Sequence, residues 1–369
     1  MKYFKCLLSL SFMVVLFCTA CSQSSSDSQP SSDATYTVTY VDGVDGAEIA
    51  VPSDTTRYKA GDSVTVKFTD TGNREYFTFA GWGDGSTTYT SSGTTTFTMG
   101  STNVTLTAQW QWNNSFIGTK ANSEQKEVGD IVFNDGSAMP YTTFTSLDTS
   151  AKNEKKAKAI ALIFYRGTGL NSDILTSNYD NGATWTTNTS TTSRTLGVGL
   201  KHNKSGLAWC TNDAFLYNFD IISIQCNPKE NTGSYTFTRD KNGSDNRLQV
   251  FSYEANREKY PAFYFSQTYA TTNVTNIPAD PEFAGGWYLP SIAELYQIYA
   301  CRSDTTNGFN IDAASETLGG DKFENSLYWS SSQDSSVPTR SWILNFSTGR
   351  VAETNKDQGN CICCIRAFD

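Results

Sequence analysis

The feature that most constrains the fold of this chain is a period-two alternation of apolar and polar side chains within residues 35–112. Four runs show it, at residues 36–40, 63–68, 96–99 and 104–110. Because successive side chains of a β-strand point to opposite faces, the alternation predicts strands with one face in a core and the other in water. Asp-Gly and Gly-Asp pairs between the runs supply turn residues. We predict a β-grasp-like sheet with a core filled by Tyr76, Phe79, Trp82 and Trp110.

The motifs of this first domain follow one another in a recognisable order. They are Tyr58-x-Ala60-Gly61-Asp62-x-Val64, Phe79-Ala80-Gly81-Trp82, Phe97-Thr98-Met99 and the run 104–110. The segment 35–112 thereby resembles the internalin-type B repeat of bacterial surface proteins. The resemblance implies a stalk or spacer. Its Asp-Gly pairs could be calcium ligands, but turn formation is the commoner role of that pair.

The N-terminus has the pattern of an export signal. Lys2 and Lys5 precede an apolar run of about a dozen residues, and small residues then precede Cys21. The run is shorter than the roughly 20 residues of a spanning helix, so residues 1–20 are predicted to be a signal peptide. The Cys18-Thr-Ala-Cys21 segment resembles a lipobox, which implies lipidation of Cys21; plain secretory cleavage is the alternative. We expect residues 21–34, rich in Ser, Asp, Gln and Pro, to be a flexible tether.

The remainder, residues 113–369, mixes short strands with two predicted helices. One helix begins near Asp245 and places Leu248, Phe251 and Ala255 on one face. The other follows Ser291, which can cap it while Glu294 reaches back to the backbone, as in a capping box. Short apolar runs at 128–133 and 160–165 predict strands, and 361–368 predicts a closing strand.

Four motifs of this C-terminal part carry a second resemblance. They are Gly286-Trp-Tyr-Leu-Pro-Ser291 with Glu294-Leu295, Tyr328-Trp-Ser-Ser331, Trp342-x-x-x-Phe346-x-x-Gly349 and Cys364-Ile-Arg366. They resemble a bacterial domain family with a C-type-lectin-like fold, whose relatives include the C-terminal domain of the Legionella collagen-like adhesin and retroelement-diversified variable proteins. The resemblance implies two helices packed on small antiparallel sheets, with the first and last strands of the domain meeting. The expected fold class is therefore mainly β with α+β, a small β-grasp-like repeat domain followed by a C-type-lectin-like domain.

The same resemblance implies ligand recognition by the face formed after the Trp329 strand. The candidate ligand-binding residues are Gln333, Asp334, Ser335, Arg340, Trp342, Asn345, Arg350, Thr354, Asn355 and Lys356. In the diversified relatives, adenine-directed mutagenesis yields a restricted set of residue types, and residues 334–341 contain only those types. Under diversification Gln333, Glu353, Lys356 and Gln358 would be fixed positions.

Catalysis is not expected from these residues. Beyond Cys21 there are six cysteines, at 210, 226, 301, 361, 363 and 364, and the sequence does not choose among their fifteen possible pairings. In an extended strand Cys361 and Cys363 share one face and Cys364 the other, which disfavours a zinc site. An enzyme like the formylglycine-generating oxidases, with Cys361 and Cys364 as its reactive pair, is the catalytic alternative. His202 lies in a polar stretch and is interpreted as solvated or structural.

Charge and export together indicate the class of partner. The net charge of −9 repels phosphate backbones, so nucleic acid is not expected as a partner. We predict a lipoprotein that is not an enzyme and has no cofactor. We expect it at the bacterial cell surface, attached to the outer membrane by its lipid alone. Its expected partner is a protein or glycan of a host or neighbouring cell. The alternative is a passive structural surface lipoprotein.

Overall fold

The computed structural model describes residues 34–44, 49–74, 76–176, 184–272, 276–278, 281–303 and 309–369. It is mainly β with α+β content, as predicted. The predicted signal peptide, Cys21 and nearly all of the tether lie outside the described residues. Contacts divide the chain into two compact units, one within residues 1–42, 50–72 and 80–109 and the other within 43–49, 73–79 and 110–369.

The first unit is built from short strands, as the alternation predicts. They are β1 (Thr35–Tyr36), β2 (Val38–Val41), β3 (Tyr58–Lys59), β4 (Ser63–Thr65), β5 (Phe77–Gly83), β6 (Thr88–Tyr89), β7 (Thr96–Thr98) and β8 (Val104–Trp112). Strands β2, β8, β5 and β6 form a sheet in that order, in which β2 and β8 are parallel. Residues of β2 are alternately buried and exposed, which is the period-two pattern of the sequence.

Only one of the four aromatic residues expected to fill the first core does so. Trp82 is fully buried, packs against the Tyr40 ring at 4.7 Å and donates its indole N–H to the Lys67 carbonyl at 2.8 Å. Tyr76, Phe79 and Trp110 are partly buried, and their contacts assign them to the other unit. The prediction for these three residues is wrong, since aliphatic side chains of β2, β4 and β8 occupy the core beside Trp82.

The second unit contains the remaining strands and the α-helices. The strands are β9 (Asp130–Phe133), β10 (Ala138–Pro140), β11 (Ala159–Gly167), β12 (Ile174–Leu175), β13 (Trp185–Thr186), β14 (Arg194–Gly199), β15 (Asn203–Leu207), β16 (Cys226–Asn231), β17 (Ser234–Arg239), β18 (Leu327–Gln333), β19 (Arg340–Asn345), β20 (Arg350–Asn355), β21 (Asn360–Ile362) and β22 (Ile365–Ala367). The helices are α1 (Tyr141–Ser146), α2 (Thr149–Lys156), α3 (Asn246–Tyr253), α4 (Pro261–Gln267), α5 (Tyr269–Thr272), α6 (Pro281–Ala284), α7 (Ile292–Ser303) and α8 (Ile311–Thr317). None of the helices in the described ranges is long and apolar enough to cross a bilayer.

Two five-stranded sheets organise this unit. One has the order β10-β9-β11-β14-β22 and the other β15-β21-β18-β19-β20. The resemblance implied that the first and last strands of the domain meet. Strands β9 and β22 do share the first sheet, but β11 and β14 lie between them.

The predicted closing strand at 361–368 is two strands in two different sheets. β21 belongs to the second sheet and β22 to the first, because the chain crosses between them at Cys363 and Cys364. Cys361 and Cys363 point into one apolar cluster, and Cys364 points into another. The sequence predicted that Cys361 and Cys363 point one way and Cys364 the other, and they do, although the segment is not one continuous strand.

The capping box of α7 is confirmed. The Ser291 hydroxyl accepts from the Glu294 backbone N–H at 3.2 Å, and the Glu294 carboxylate accepts from the Ser291 N–H at 2.8 Å. The prediction for the apolar face of α3 is wrong for Leu248 and Ala255, which are exposed, whereas Phe251 packs partly buried against the core. Asn246 and Val250 are the buried residues of that helix, whereas Leu248 is 64% exposed. A polar residue, Asn246, can be buried on this face because it donates hydrogen bonds to Asp240 and Ser331.

Candidate functional site

The ten candidate residues lie on or beside β18, β19 and β20, but three of them are buried. Gln333 accepts from the Ile221 N–H at 2.6 Å and donates to the Phe219 carbonyl at 3.1 Å. Asp334 is buried in the following turn and accepts from the Ser336 N–H at 2.9 Å.

Lys356 is the third buried candidate. Its ammonium group donates to the carbonyls of Leu216 at 2.6 Å and Phe219 at 3.2 Å, and burial lowers its pKa to about 8. Side chains that are buried and hydrogen-bonded inside the protein are not accessible to a ligand. The prediction of ligand contact is therefore wrong for Gln333, Asp334 and Lys356.

The strand candidates that remain do not form one patch. The register pairs Arg340 with Asn355 and Asn345 with Arg350. Since side chains alternate along a strand, these two pairs lie on opposite faces of the sheet.

Trp342 shares the face of Arg340 and Asn355, whereas Thr354 shares the face of Asn345 and Arg350. Trp342 is only partly exposed, because its indole N–H donates to the Cys226 carbonyl at 3.0 Å. Ser335 lies exposed in the turn between β18 and β19. Ligand contact by these residues stays a prediction, and one ligand face cannot include all of them.

The two buried side chains Gln333 and Lys356 hold a surface loop from below. Both donate to the Phe219 carbonyl, and they also contact the backbone of Ile221 and Leu216 respectively. We call this pair the clamp. It fixes the loop 215–221, which begins with the 3-10 turn Phe215–Tyr217.

The clamped loop displays exposed aromatic rings. Phe215 is 47% exposed and Phe219 is 55% exposed, and Tyr253 at the end of α3 is 51% exposed. The rings of Phe215 and Phe219 lie 4.9 Å apart at 20°, and those of Phe215 and Tyr253 lie 5.9 Å apart at 15°. We call these three residues the aromatic stack. Aromatic side chains of this size are usually buried, so their exposure on a fixed loop marks a surface suited to contact.

A polar groove adjoins the aromatic stack. Its first part, of about 240 Å³, is lined by Tyr253 of the stack together with Asp220, Ser223, Gln249 and Ser252. Its second part, of about 430 Å³, shares Ser223 and Gln249 with the first and continues to Asp173, Trp185, Asn242 and Asp245. The Ser223 hydroxyl donates to the Gln249 side-chain carbonyl at the junction of the two parts. Carboxylates, amides and hydroxyls thus line both cavities, which meet at Ser223 and Gln249.

Asp240 is buried beneath the second part of the groove. It accepts from the Ser172 hydroxyl at 2.7 Å and from the Asn246 amide at 2.8 Å. Burial raises its pKa to about 7, with those hydrogen bonds acting in the opposite direction. The segment between β17 and α3 is therefore held by side-chain hydrogen bonds, which fix the shape of this end of the groove.

The Gly286–Leu295 motif has a structural role. The buried Glu294 carboxylate accepts from Arg194 at 2.9 Å, from the Tyr288 hydroxyl at 3.0 Å and from the Gly243 N–H at 3.0 Å. It thereby joins α7, β14 and the segment before α3 in one network. The motif holds the elements that carry the groove.

Burial disfavours a reactive role for the cysteines in the described part of the chain. Burial raises the pKa of Cys210 to about 12 and raises the pKa of the thiols of Cys361, Cys363 and Cys364. A reactive cysteine needs the opposite shift. The two thiols that the oxidase hypothesis would pair, Cys361 and Cys364, point into different apolar clusters. Within the described ranges no group of three acidic, histidine or cysteine residues is placed to hold a metal ion.

Sequence reasoning missed the aromatic stack and the clamp. The run Phe215-Leu-Tyr-Asn-Phe219 is rich in aromatic residues, and composition alone would assign them to a core. Its aromatic residues recur at 215, 217 and 219, a period of two that favours a half-buried strand, so the pattern gave no signal of an exposed loop. Gln333 and Lys356 were recognised as expected fixed positions, but their role beneath the loop depends on contacts across more than a hundred residues.

Replacing Lys356 with Met is expected to lower the free energy of unfolding by about 1–3 kcal/mol, because it leaves a buried Leu216 carbonyl without a donor. Amide hydrogen exchange in residues 215–221 should also become faster, since half of the clamp is lost. Exchange mass spectrometry and urea unfolding measure the two effects. Lys229→Met, at an exposed position of β16, is the matched control and should change neither. An unchanged exchange rate in the loop of the Lys356 variant would show that the clamp does not hold it.

Comparison with known proteins supports the C-terminal resemblance. Residues 198–366, a little less than half of the chain, match the family model of the Lcl C-terminal domain. That range contains the clamp and the aromatic stack. No curated protein matches the chain. A crystal structure of a fimbrial protein from Bacteroides ovatus ATCC 8483 aligns over 90% of this chain and 69% of its own, with 14% identity and a TM-score of 0.39. A similarity at that level supports no inference about function.

Proposed function

We propose that this chain is a bacterial surface lipoprotein that binds an extracellular ligand, a host or neighbouring-cell protein or glycan, through its C-terminal domain. The observation that carries the proposal is the exposed aromatic stack, two of whose rings stand on a loop that two buried side chains hold. A passive surface protein has no need to fix large apolar rings in water, where they risk aggregation. Binding sites, by contrast, are commonly loops positioned by a rigid scaffold.

The proposal includes a C-type-lectin-like fold for residues 113–369 and attachment to an outer membrane through lipid on Cys21. The match of residues 198–366 to the Lcl C-terminal domain supports the first part. The lipobox-like sequence before Cys21 supports the second. We propose no catalytic activity, since the described thiols with raised pKa values are protonated at neutral pH.

The test measures binding by a soluble chain that begins at residue 22. Leaving out residues 1–21 removes none of the residues that the structure describes. The chain would be immobilised and screened against extracellular matrix proteins, glycans and intact cells. The triple variant Phe215→Ala, Phe219→Ala, Tyr253→Ala is expected to lose at least tenfold in affinity for any ligand found, because exposed aromatic anchors dominate binding energies.

Tyr264→Ala is the matched control, since Tyr264 is an exposed aromatic residue of α4 outside the stack. It should bind like the unmodified chain. If no surface, matrix protein or glycan is bound, the passive alternative replaces the proposal. Equal binding by the triple variant and the unmodified chain would move the site elsewhere.

A further inference from the structure

The aromatic stack and the polar groove together have the chemistry of a sugar site. In the stack the rings are nearly parallel, yet their centroids are 4.9 and 5.9 Å apart, beyond the ~3.5–4.0 Å of direct carbon contact. The rings are therefore displaced sideways, which leaves part of each face uncovered. The negative face of an aromatic ring attracts the C–H groups that cover one side of a pyranose ring.

The groove beyond the stack offers hydrogen-bonding groups in both directions. Asp220 supplies acceptors. The Ser223 and Ser252 hydroxyls donate to Gln249 and can still accept, and the Gln249 amide, which donates to Asp245, has a second N–H at the point that both parts of the groove share. One carboxylate oxygen of Asp220 is buried and has no hydrogen-bond donor among the described residues, so a ligand in the groove would contact the other oxygen of this carboxylate.

A second aromatic residue stands at the far end of the groove. Trp185 of β13 lines the second part with Asp173, Asn242 and Asp245. A ligand that extends through both parts would thus meet aromatic surface at each end and polar groups between them. This alternation matches a short chain of sugar rings.

A protein ligand fits the same surface less well. Energetically dominant protein contacts are anchored in dry, well-packed pockets at the centre of an interface. Here the cleft beside the stack is open and lined mainly by polar atoms. Desolvating these atoms against apolar side chains would cost free energy, whereas sugar hydroxyls would replace their water hydrogen bonds.

We propose, on the basis of the proposed function, that the ligand is a neutral oligosaccharide bound along the polar groove with one pyranose ring against the aromatic stack. Neutrality follows from the charges of the groove. Asp173, Asp220 and Asp245 line it, of which Asp173 is paired with Lys241 at 3.2 Å, and the chain carries a net charge of −9. Sulfated and carboxylated glycans are repelled by such a surface.

The experiment measures binding of the soluble chain to an array of neutral hexasaccharides built from glucose, mannose, galactose or N-acetylglucosamine, with heparin hexasaccharides for comparison. We expect binding to at least one neutral series and none to heparin. Calorimetry with the best neutral hexasaccharide then compares Gln249→Leu, which removes the shared amide, with the unmodified chain. Its affinity should fall at least fivefold, and that of Phe219→Ala at least fivefold.

Two controls separate loss of binding from loss of fold. Tyr264→Ala and Leu248→Ala remove exposed side chains outside the groove and should leave the affinity unchanged. The affinity of a variant is interpreted only if its unfolding midpoint lies in the range of the two controls. Gln249→Asn provides a second, milder change at the same position.

The outcomes distinguish this inference from the proposed function. Binding to a protein or a cell that depends on the aromatic stack, without binding to any neutral hexasaccharide, overturns the sugar assignment and leaves the proposed function intact. Binding to heparin alone also overturns it. Absence of binding in every format overturns both. Sugar binding that is unchanged in Gln249→Leu and Phe219→Ala places the site outside the groove and contradicts the inference.

Discussion

Replacing Glu294 with Gln is expected to lower the free energy of unfolding of the C-terminal unit by about 3–5 kcal/mol, the cost of removing one partner of a buried ion pair. The side chain of Glu294 is fully buried and that of Arg194 is 10% exposed. The change leaves the guanidinium group without a counter-charge and replaces an acceptor of four hydrogen bonds with an amide that has only one oxygen. Equilibrium unfolding in urea measures the shift in midpoint at constant slope.

The control for this variant is Glu324→Gln. Glu324 forms an ion pair with Lys204 at 3.1 Å, but both side chains are substantially exposed. Exposed pairs contribute at most about 1 kcal/mol, so this control should unfold almost like the unmodified chain. Adding Arg194→Met to Glu294→Gln should recover part of the loss, since it removes the unpaired charge. A Glu294 variant no less stable than the Glu324 variant would refute a structural role for the motif.

Acid should destabilise the C-terminal unit through its only histidine. His202 is partly buried, its ring lies 4.3 Å from that of Phe323, and its Nδ1 is enclosed without a hydrogen-bond partner in the described part of the chain. Burial lowers its pKa from 6.5 to about 3, while the neighbouring Asp321 acts in the opposite direction. The interpretation of His202 as a structural residue thus fits its partly buried position beside Phe323.

The sign of the pH effect follows from linkage. Between pH 6.5 and pH 3 the unfolded chain binds a proton at His202 that the folded chain does not bind, so stability is full above pH 6.5 and falls as the pH falls. The expected loss from this group between pH 7 and pH 4 is about 3 kcal/mol. His202→Phe keeps an aromatic ring beside Phe323 and removes the titration.

Unfolding free energies of the unmodified chain and of His202→Phe, measured from pH 4 to pH 8, test this. Other groups titrate in both proteins and cancel in the difference. That difference should favour the variant increasingly below pH 6.5 and level off above it. A difference independent of pH would show that the imidazole is protonated or well hydrated in the folded state.

Local sequence rules predicted the parts of the fold that depend on neighbours in the chain. The capping box between Ser291 and Glu294 and the alternation of β2 are both set by side chains a few residues apart. The rules failed where distant partners decide. Lysine is usually a surface residue. Lys356 can be buried because two carbonyls of the loop 215–221 accept hydrogen bonds from its ammonium group.

The candidate site shows the same division. The sequence and its resemblance directed attention to β18–β20, and the structure uses two of those candidates, Gln333 and Lys356, beneath the surface rather than on it. Exposed positions of one strand, such as Arg350 and Asn355, lie on opposite faces because they are an odd number of residues apart, which the choice of candidates did not take into account. Retroelement diversification stays a prediction, and the burial of Gln333 and Lys356 agrees with their expected place among the fixed positions.

Hydrogen exchange of the soluble chain with and without its best ligand tests most directly whether the clamped loop and groove are the recognition surface. The ligand should slow exchange in residues 215–223 and 249–253, which carry the aromatic stack and the first part of the groove. Residues 340–355 should exchange as in the free chain. Protection confined to residues 340–355, with none in the loop or α3, would contradict the account and return the site to the outer strands of the sheet.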